Sequence, residues 1–149
     1  MCYSSNGLLP RIARLYPDKF KELREFCGWF KDYKKQEEII GTTFAMRFED
    51  KADTVNFGKI IVCCFTLKWL TYSRSELRLD AWEKVSKKIA KQTDANFKAT
   101  GKMYQIHIPA KIGDNLHEDE IKQVHEILDQ TFKKEYPNVD LWYHGREQS

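Results

Sequence analysis

The chain predicts an α/β fold, a three-layer α/β/α arrangement with a mixed central sheet, and three observations predict it. Lys59 to Phe65 is a β-branched, apolar run that opens into Thr66-Leu67-Lys68-Trp69, then Ser73-Arg74-Ser75-Glu76, then a long amphipathic helix. Met103 to Ile108 repeats the arrangement and opens into Pro109-Ala110-Lys111-Ile112-Gly113-Asp114-Asn115 ahead of another helix. Ile60 to Phe65 is apolar on both faces, as a central strand covered by helices should be. Open α/β sheets bind ligands at the carboxyl ends of their strands. Two such strands, each releasing its loop toward a helix start, predict one shared crevice.

The remaining elements follow in order. Leu8, Leu9, Ile12, Ala13 and Tyr16 have helical spacing, with Pro10 acceptable in a first turn. Pro17 restarts the chain, and Phe20, Leu23, Phe26, Cys27 and Phe30 form the apolar face of a second helix. Lys31 to Glu38 is polar and reads as a connection or a frayed helix end. Strand character begins at Ile39, where Thr42, Phe44, Met46 and Phe48 alternate with Thr43, Ala45, Arg47 and Glu49. Asp50 to Gly58 reads as a hairpin connection. From about Ser75 to Lys91 a helix carries Leu77, Ala81, Trp82, Val85 and Ile89 on one face, with Ser73 and Glu76 at capping-box spacing. Gln92 to Lys102 reads as a loop. In the last helix Ile121, Val124, Ile127, Leu128, Thr131 and Phe132 point inward, with Asn115 and Glu118 as its cap pair. Tyr136-Pro137-Asn138 ends it, and Val139 to Tyr143 is a last strand. The order α-α-β-β-α-β-α-β puts helices on both faces of the sheet.

Composition narrows the class. At 149 residues, one domain spanning 1–149 is the economical reading. Hydrophobic residues at 42% and aromatic ones at 13% indicate a packed globule rather than a disordered chain. A formal charge of +3 with interleaved signs provides no nucleic-acid stripe, yet suits a local anion pocket. Cys2, Cys27, Cys63 and Cys64 lack zinc-ligand spacing and read as buried, reduced thiols. That reading implies a cytoplasmic or otherwise reducing setting. No secretory signal and no membrane-spanning stretch is read, so no membrane partner is expected.

Three segments are candidates for chemistry. Ser4-Ser5-Asn6-Gly7-Leu8-Leu9 precedes a helix, whose unpaired N–H groups and partial positive charge hold phosphate, and Gly7 permits close backbone approach. The same residues suit an ordinary helix cap. In Pro109 to Asn115, Lys111 brings a cation, Gly113 flexibility, and Asp114 and Asn115 hydrogen-bonding groups for sugar hydroxyls; a plain β–α loop has the same composition. Trp69 suits the floor of an aromatic-ring pocket or a place in the core, and Thr66 a ligand contact or a strand terminus. His107, His117, His125 and His144 do not cluster in sequence and predict no metal site. No nucleophile–base pairing, P-loop or dinucleotide fingerprint is present, so no catalytic residue and no cofactor is read.

Asn6-Gly7-Leu8-Leu9-Pro10-Arg11-Ile12-Ala13, followed by Tyr16-Pro17-Asp18-Lys19-Phe20, resembles the glycine-rich loop, helix and Phe-Pro-Glu-x-Phe stretch of macro domains. The likeness is to the branch acting on ADP-ribosylated nucleic acid. Phe65-Thr66-Leu67-Lys68-Trp69 with Ser73-Arg74-Ser75 resembles that branch's strand ending in Thr-Lys and Trp, then Ser-Arg and a helix. Ile108-Pro109-Ala110 with Leu116 is similar to its Ile-Pro-Ala-Leu-Gly segment, and Val139 to Tyr143 to its closing strand. The resemblance implies a macro fold that binds ADP-ribose or a related adenine nucleotide. It places Asn6, Gly7 and Leu8 on one side of the diphosphate and distal ribose, and Pro109, Ala110, Lys111, Ile112, Gly113, Asp114 and Asn115 on the other. The family's opening strands, with an adenine-binding Asp and an Asn-rich turn, have no counterpart. The first loop has one glycine, and the second carries Lys111 and Asp114.

The functions implied are binding of the nucleotide with release of ADP-ribose from a modified macromolecule, or a non-catalytic reader or sponge of a nucleotide signal. A third is a protein-interaction module using aromatics such as Trp29, Phe30, Tyr33, Trp142 and Tyr143.

Overall fold

Helix α1 (Leu8–Leu15) ends against Pro17, and α2 (Pro17–Gly28) begins on that proline, whose fixed φ suits a first helical position. A short α3 (Gln36–Ile39) leads to β1 (Thr43–Arg47), β2 (Ile60–Cys64), β3 (Leu67–Thr71) and β4 (Arg74–Leu77). After them come α4 (Leu79–Thr100), β5 (Gln105–Ile108), α5 (Glu118–Asp129) with a π-helical turn (Gln130–Glu135), and β6 (Asp140–Tyr143). The computed structural model describes residues 8–28, 36–71, 74–109 and 116–144, without the side chains of 8, 9, 36, 69–71, 74 and 75. The chain divides into two compact units, Met1–Glu76 and Leu77–Ser149.

In the first unit α2 covers one face of an antiparallel ladder. Phe44 lies opposite Cys63 and Met46 opposite Ile61, so the period-two alternation turns these four toward the helix. Leu23, Cys27 and Met46 form the buried centre, with Phe20, Phe44, Ile61, Cys63 and Phe65 packed around it. Phe26 stacks on Phe44 at 4.6 Å and tilts onto Phe65 at 5.7 Å. Lys19 donates to the Arg47 carbonyl and lies 5.4 Å over the Phe48 ring, tying α2 to the end of β1. The β1–β2 connection closes where Gly58, at φ 86°, donates to the Phe48 carbonyl at 2.9 Å. That left-handed conformation favours glycine.

The second unit is built on parallel pairing. β5 runs alongside β6 with Ile106 opposite Leu141 and Ile108 opposite Tyr143, and α5 with its π-helical turn is the crossover parallel strands require. The Tyr143 hydroxyl donates to Asp129 at 2.8 Å, and His125 meets the Tyr143 ring edge-on at 4.9 Å. Ala81, Trp82, Val85, Ser86 and Ala90 of α4 are buried, as are Val124, Leu128, Thr131 and Phe132.

Several expectations change. Helix and strand are mixed as expected, but the described residues form three two-stranded sheets, not one mixed central sheet. Ile60 to Phe65 is not covered on both faces. Ile61, Cys63 and Phe65 pack inward while Val62 is 39% exposed, because an apolar residue on an open ladder face looks the same in sequence as one under a helix. Strand character starts at Thr43, since Gln36–Ile39 is helical.

The helix expected from Ser75 begins at Leu79 instead, because Ser75 and Glu76 are drawn into β4; extended Arg78 is its N-cap. It also runs through the residues read as a loop. Thr93 and Thr100 donate back to the Ile89 and Asn96 carbonyls, and Lys98 pairs with Asp94 at 2.9 Å. These polar groups are satisfied within the helix, which stops at left-handed Gly101. The α5 cap falls two residues after the expected pair: the Glu120 carboxylate accepts from the His117 N–H at 3.1 Å.

Cys63 and Cys64 are not disulfide-bonded, but Cys27 is, so the expectation of four reduced cysteines fails there and with it part of the argument for a reducing compartment. Among the described residues no helix is long and apolar enough to cross a membrane.

Two stability outcomes follow. Leu23→Ala should cost about 2–5 kcal/mol in urea denaturation, whereas Val62→Thr, on the open face, should stay within about 0.5 kcal/mol. Equal effects would contradict the one-sided ladder. Among the described residues, Trp82 Nε1 and Ser86 Oγ are buried and find no hydrogen-bond partner. Removing an unsatisfied buried hydroxyl relieves its desolvation cost, so Ser86→Ala should gain about 1 kcal/mol and raise Tm by about 2–4 °C.

Candidate functional site

The structure describes only part of the site expected from sequence. Ser5, Asn6 and Gly7 lie outside the described residues, as do Ala110, Lys111, Ile112, Gly113, Asp114 and Asn115. Leu8, the first described residue, already lies in α1. Pro109 is exposed immediately after β5.

The strand-end pattern holds for one strand and not for the other. Beyond β5 the next element is α5, but beyond β2 the chain enters β3 and β4 before any helix. Thr66 lies two residues beyond the end of β2 and is buried, at 6% exposure. Lys68, two residues on, pairs with Glu37 of α3 at 2.8 Å. Trp69 belongs to β3. Of the aromatics expected for partner contact, Trp29, Phe30 and Tyr33 lie outside the described residues. Trp142 is 50% exposed, and the Tyr143 hydroxyl is engaged by Asp129.

Within the second unit a groove of about 420 Å³ lies beside α4, α5 and the π-helical turn, lined in part by Leu79, Glu83, Lys87, Glu126, Ile127 and Glu135. The Lys87 ammonium is hydrogen-bonded to Glu83 at 3.0 Å, which raises its pKa. Three carboxylates against one engaged ammonium make this lining unsuited to a phosphorylated ligand. None of the site residues expected from sequence lines it.

Sequence reasoning missed one cluster. The outward face of the β5–β6 ladder carries Gln105, His107 and Trp142, all exposed, with half-buried Asp140 opposite Gln105, and exposed His144 follows directly after β6. His107 Nδ1 faces His144 Nε2 at 2.6 Å, with ring centroids 4.9 Å apart. Gln105 Oε1 lies 3.4 Å from His107 Nε2, and the Trp142 ring stacks beside His107 at 6.3 Å. The signal available in sequence was the alternation within two strands. Their parallel register, which brings together residues 37 apart, was not in it. Among the described residues no group of three or more His, Cys, Asp or Glu side chains is placed to hold a metal ion.

Burial pushes the Cys63 thiol up to about 11, so it is a poor nucleophile near neutrality. No family model, curated protein or solved structure matches the chain.

The folded thiol keeps its proton to about 11 while the unfolded one loses it near 9.0. The stabilising contribution is therefore full below the lower value and fades as pH rises through the window. The stability difference between the wild type and Cys63→Ala should shrink from about pH 8 to about pH 10 in urea denaturation. A constant difference would show that the thiol is not desolvated.

Proposed function

We propose that this chain binds ADP-ribose or a related adenine nucleotide in a macro-like manner, with removal of ADP-ribose from a modified macromolecule as the associated activity. The observation that carries this reading is the ordered succession of macro-like strings along the chain: Asn6 to Ala13, Tyr16 to Phe20, Phe65 to Trp69, Ser73 to Ser75 and Ile108 to Ala110. The helix that carries Leu8, directly after Gly7, supports it. A helix start with a preceding glycine lets backbone N–H groups approach a phosphate. Lys111 supplies charge for the diphosphate, Gly7 and Gly113 the close backbone approach, and Asp114 or Asn115 the contact to ribose hydroxyls.

A non-catalytic reader or sponge is the second reading. It is favoured by the single glycine of the first loop.

Calorimetry with ADP-ribose tests the binding, and no heat at millimolar ligand would defeat it. Lys111→Ala should weaken a phosphorylated ligand by about 1.5–3 kcal/mol through loss of a charge-assisted contact; unchanged affinity would remove Lys111 from the site. Ligand recovered intact from the denatured complex selects the reader, whereas turnover of an ADP-ribosylated substrate selects the hydrolase.

A further inference from the structure

We propose that His107 and His144 form a binding site for a borderline divalent transition metal, zinc, copper(II) or nickel, on the open face of the β5–β6 ladder. The backbone beneath the pair is held by strand pairing. His107 lies opposite Trp142 in the parallel register, and His144 continues the ladder by donating its N–H to the Ile108 carbonyl at 2.9 Å. The imidazoles therefore project from adjacent strands on the same side, and their facing nitrogens stand 2.6 Å apart.

The tautomer suits a ligand. With the hydrogen on Nε2, His107 donates to Gln105 Oε1 at 3.4 Å and its Nδ1 presents a lone pair toward His144. A carbonyl oxygen on the far ring nitrogen is the usual outer partner of a metal-bound histidine, fixing ring orientation and raising basicity. In the metal-free pair a single N–H bridges the two nitrogens. A cation takes its place when His144 exchanges its Nε2 hydrogen with solvent for one on Nδ1, a change of neutral tautomer that leaves two lone pairs converging on one point.

The fit is a matter of small movement. With Zn–N bonds of about 2.0–2.1 Å and a tetrahedral angle, two ligand nitrogens lie about 3.3 Å apart. The pair has to open by about 0.7 Å from its 2.6 Å separation. Both side chains are exposed and turn outward without disturbing the core. Imidazole donors favour zinc, copper and nickel over magnesium or calcium, which prefer oxygen. No third His, Cys, Asp or Glu among the described residues joins the pair. Water completes the coordination sphere, and binding is weaker and more exchangeable than at a structural site.

Zinc chloride titrated into the full chain in a non-chelating buffer, followed by histidine ring ¹H–¹⁵N spectra and calorimetry, tests this. His107 Nδ1 and His144 Nε2 are expected to shift together with about one equivalent of metal, while His117 and His125 stay in place. His107→Ala and His144→Ala should each weaken binding at least about tenfold by breaking the chelate, and Gln105→Ala, which leaves both ligands, by up to about tenfold. The shift should persist in Cys63→Ala/Cys64→Ala, which removes both of these thiols as competing ligands. No movement of the His107 and His144 signals at millimolar zinc overturns the proposal. So does equal affinity in His107→Ala/His144→Ala, whose exposed positions leave the fold intact by circular dichroism.

Discussion

Parallel pairing of β5 with β6 is the constraint on which the second unit turns. Strands running the same way cannot be joined by a tight turn and need a crossover of a dozen or more residues. Here α5 and the π-helical turn provide it, with Tyr143 tying strand to helix through Asp129 and His125. The crossover faces its buried side with Val124, Leu128, Thr131 and Phe132. Once the register is set, alternation allocates every remaining position. Ile106 and Ile108 turn to the covered side, and Gln105 and His107 turn to the open one.

The first unit solves the same problem with opposite strand polarity. A two-stranded ladder is marginal by itself and needs a helix on one face. Phe26 performs that task by touching a ring on each strand, Phe44 of β1 and Phe65 just beyond β2. A one-residue slip would carry Phe44 and Met46 to solvent together, so the aromatic contacts also define the register. Both units thus leave one ladder face open, one showing Val62 and the other the paired histidines. Buried chemistry is quiet by comparison. Cys63 lies under α2 with its thiol held protonated.

Legibility followed the range of the forces involved. The alternation of Phe44 and Met46 against Thr43, Ala45 and Arg47 identified β1 and its inward side. The 3.6-residue spacing of Val124, Leu128 and Phe132 identified the buried side of the last helix. Element boundaries were harder where two local signals competed. Ser73 and Glu76 have the spacing of a cap, yet pairing with β3 makes Ser75 and Glu76 strand residues. Asp94 and Asn96 look like loop residues, yet a salt bridge to Lys98 and the late stop at Gly101 keep them helical. At the expected site, Thr66 shows the same ambiguity: a hydroxyl after an apolar strand suits a ligand or a terminus, and the residue is buried.

The sequence by itself determined which residues alternate, which helical faces are apolar, and where Pro17 interrupts the backbone. These properties are set by neighbours a few bonds away, through sterics, capping and periodicity. Only the tertiary structure decided which strands pair, in which direction and in what register. It alone showed that Ile60–Cys64 has one open face, that Cys27 is disulfide-bonded, and that His107 meets His144. Those outcomes depend on contacts between segments tens of residues apart, whose loop-closure entropy and burial no local pattern encodes.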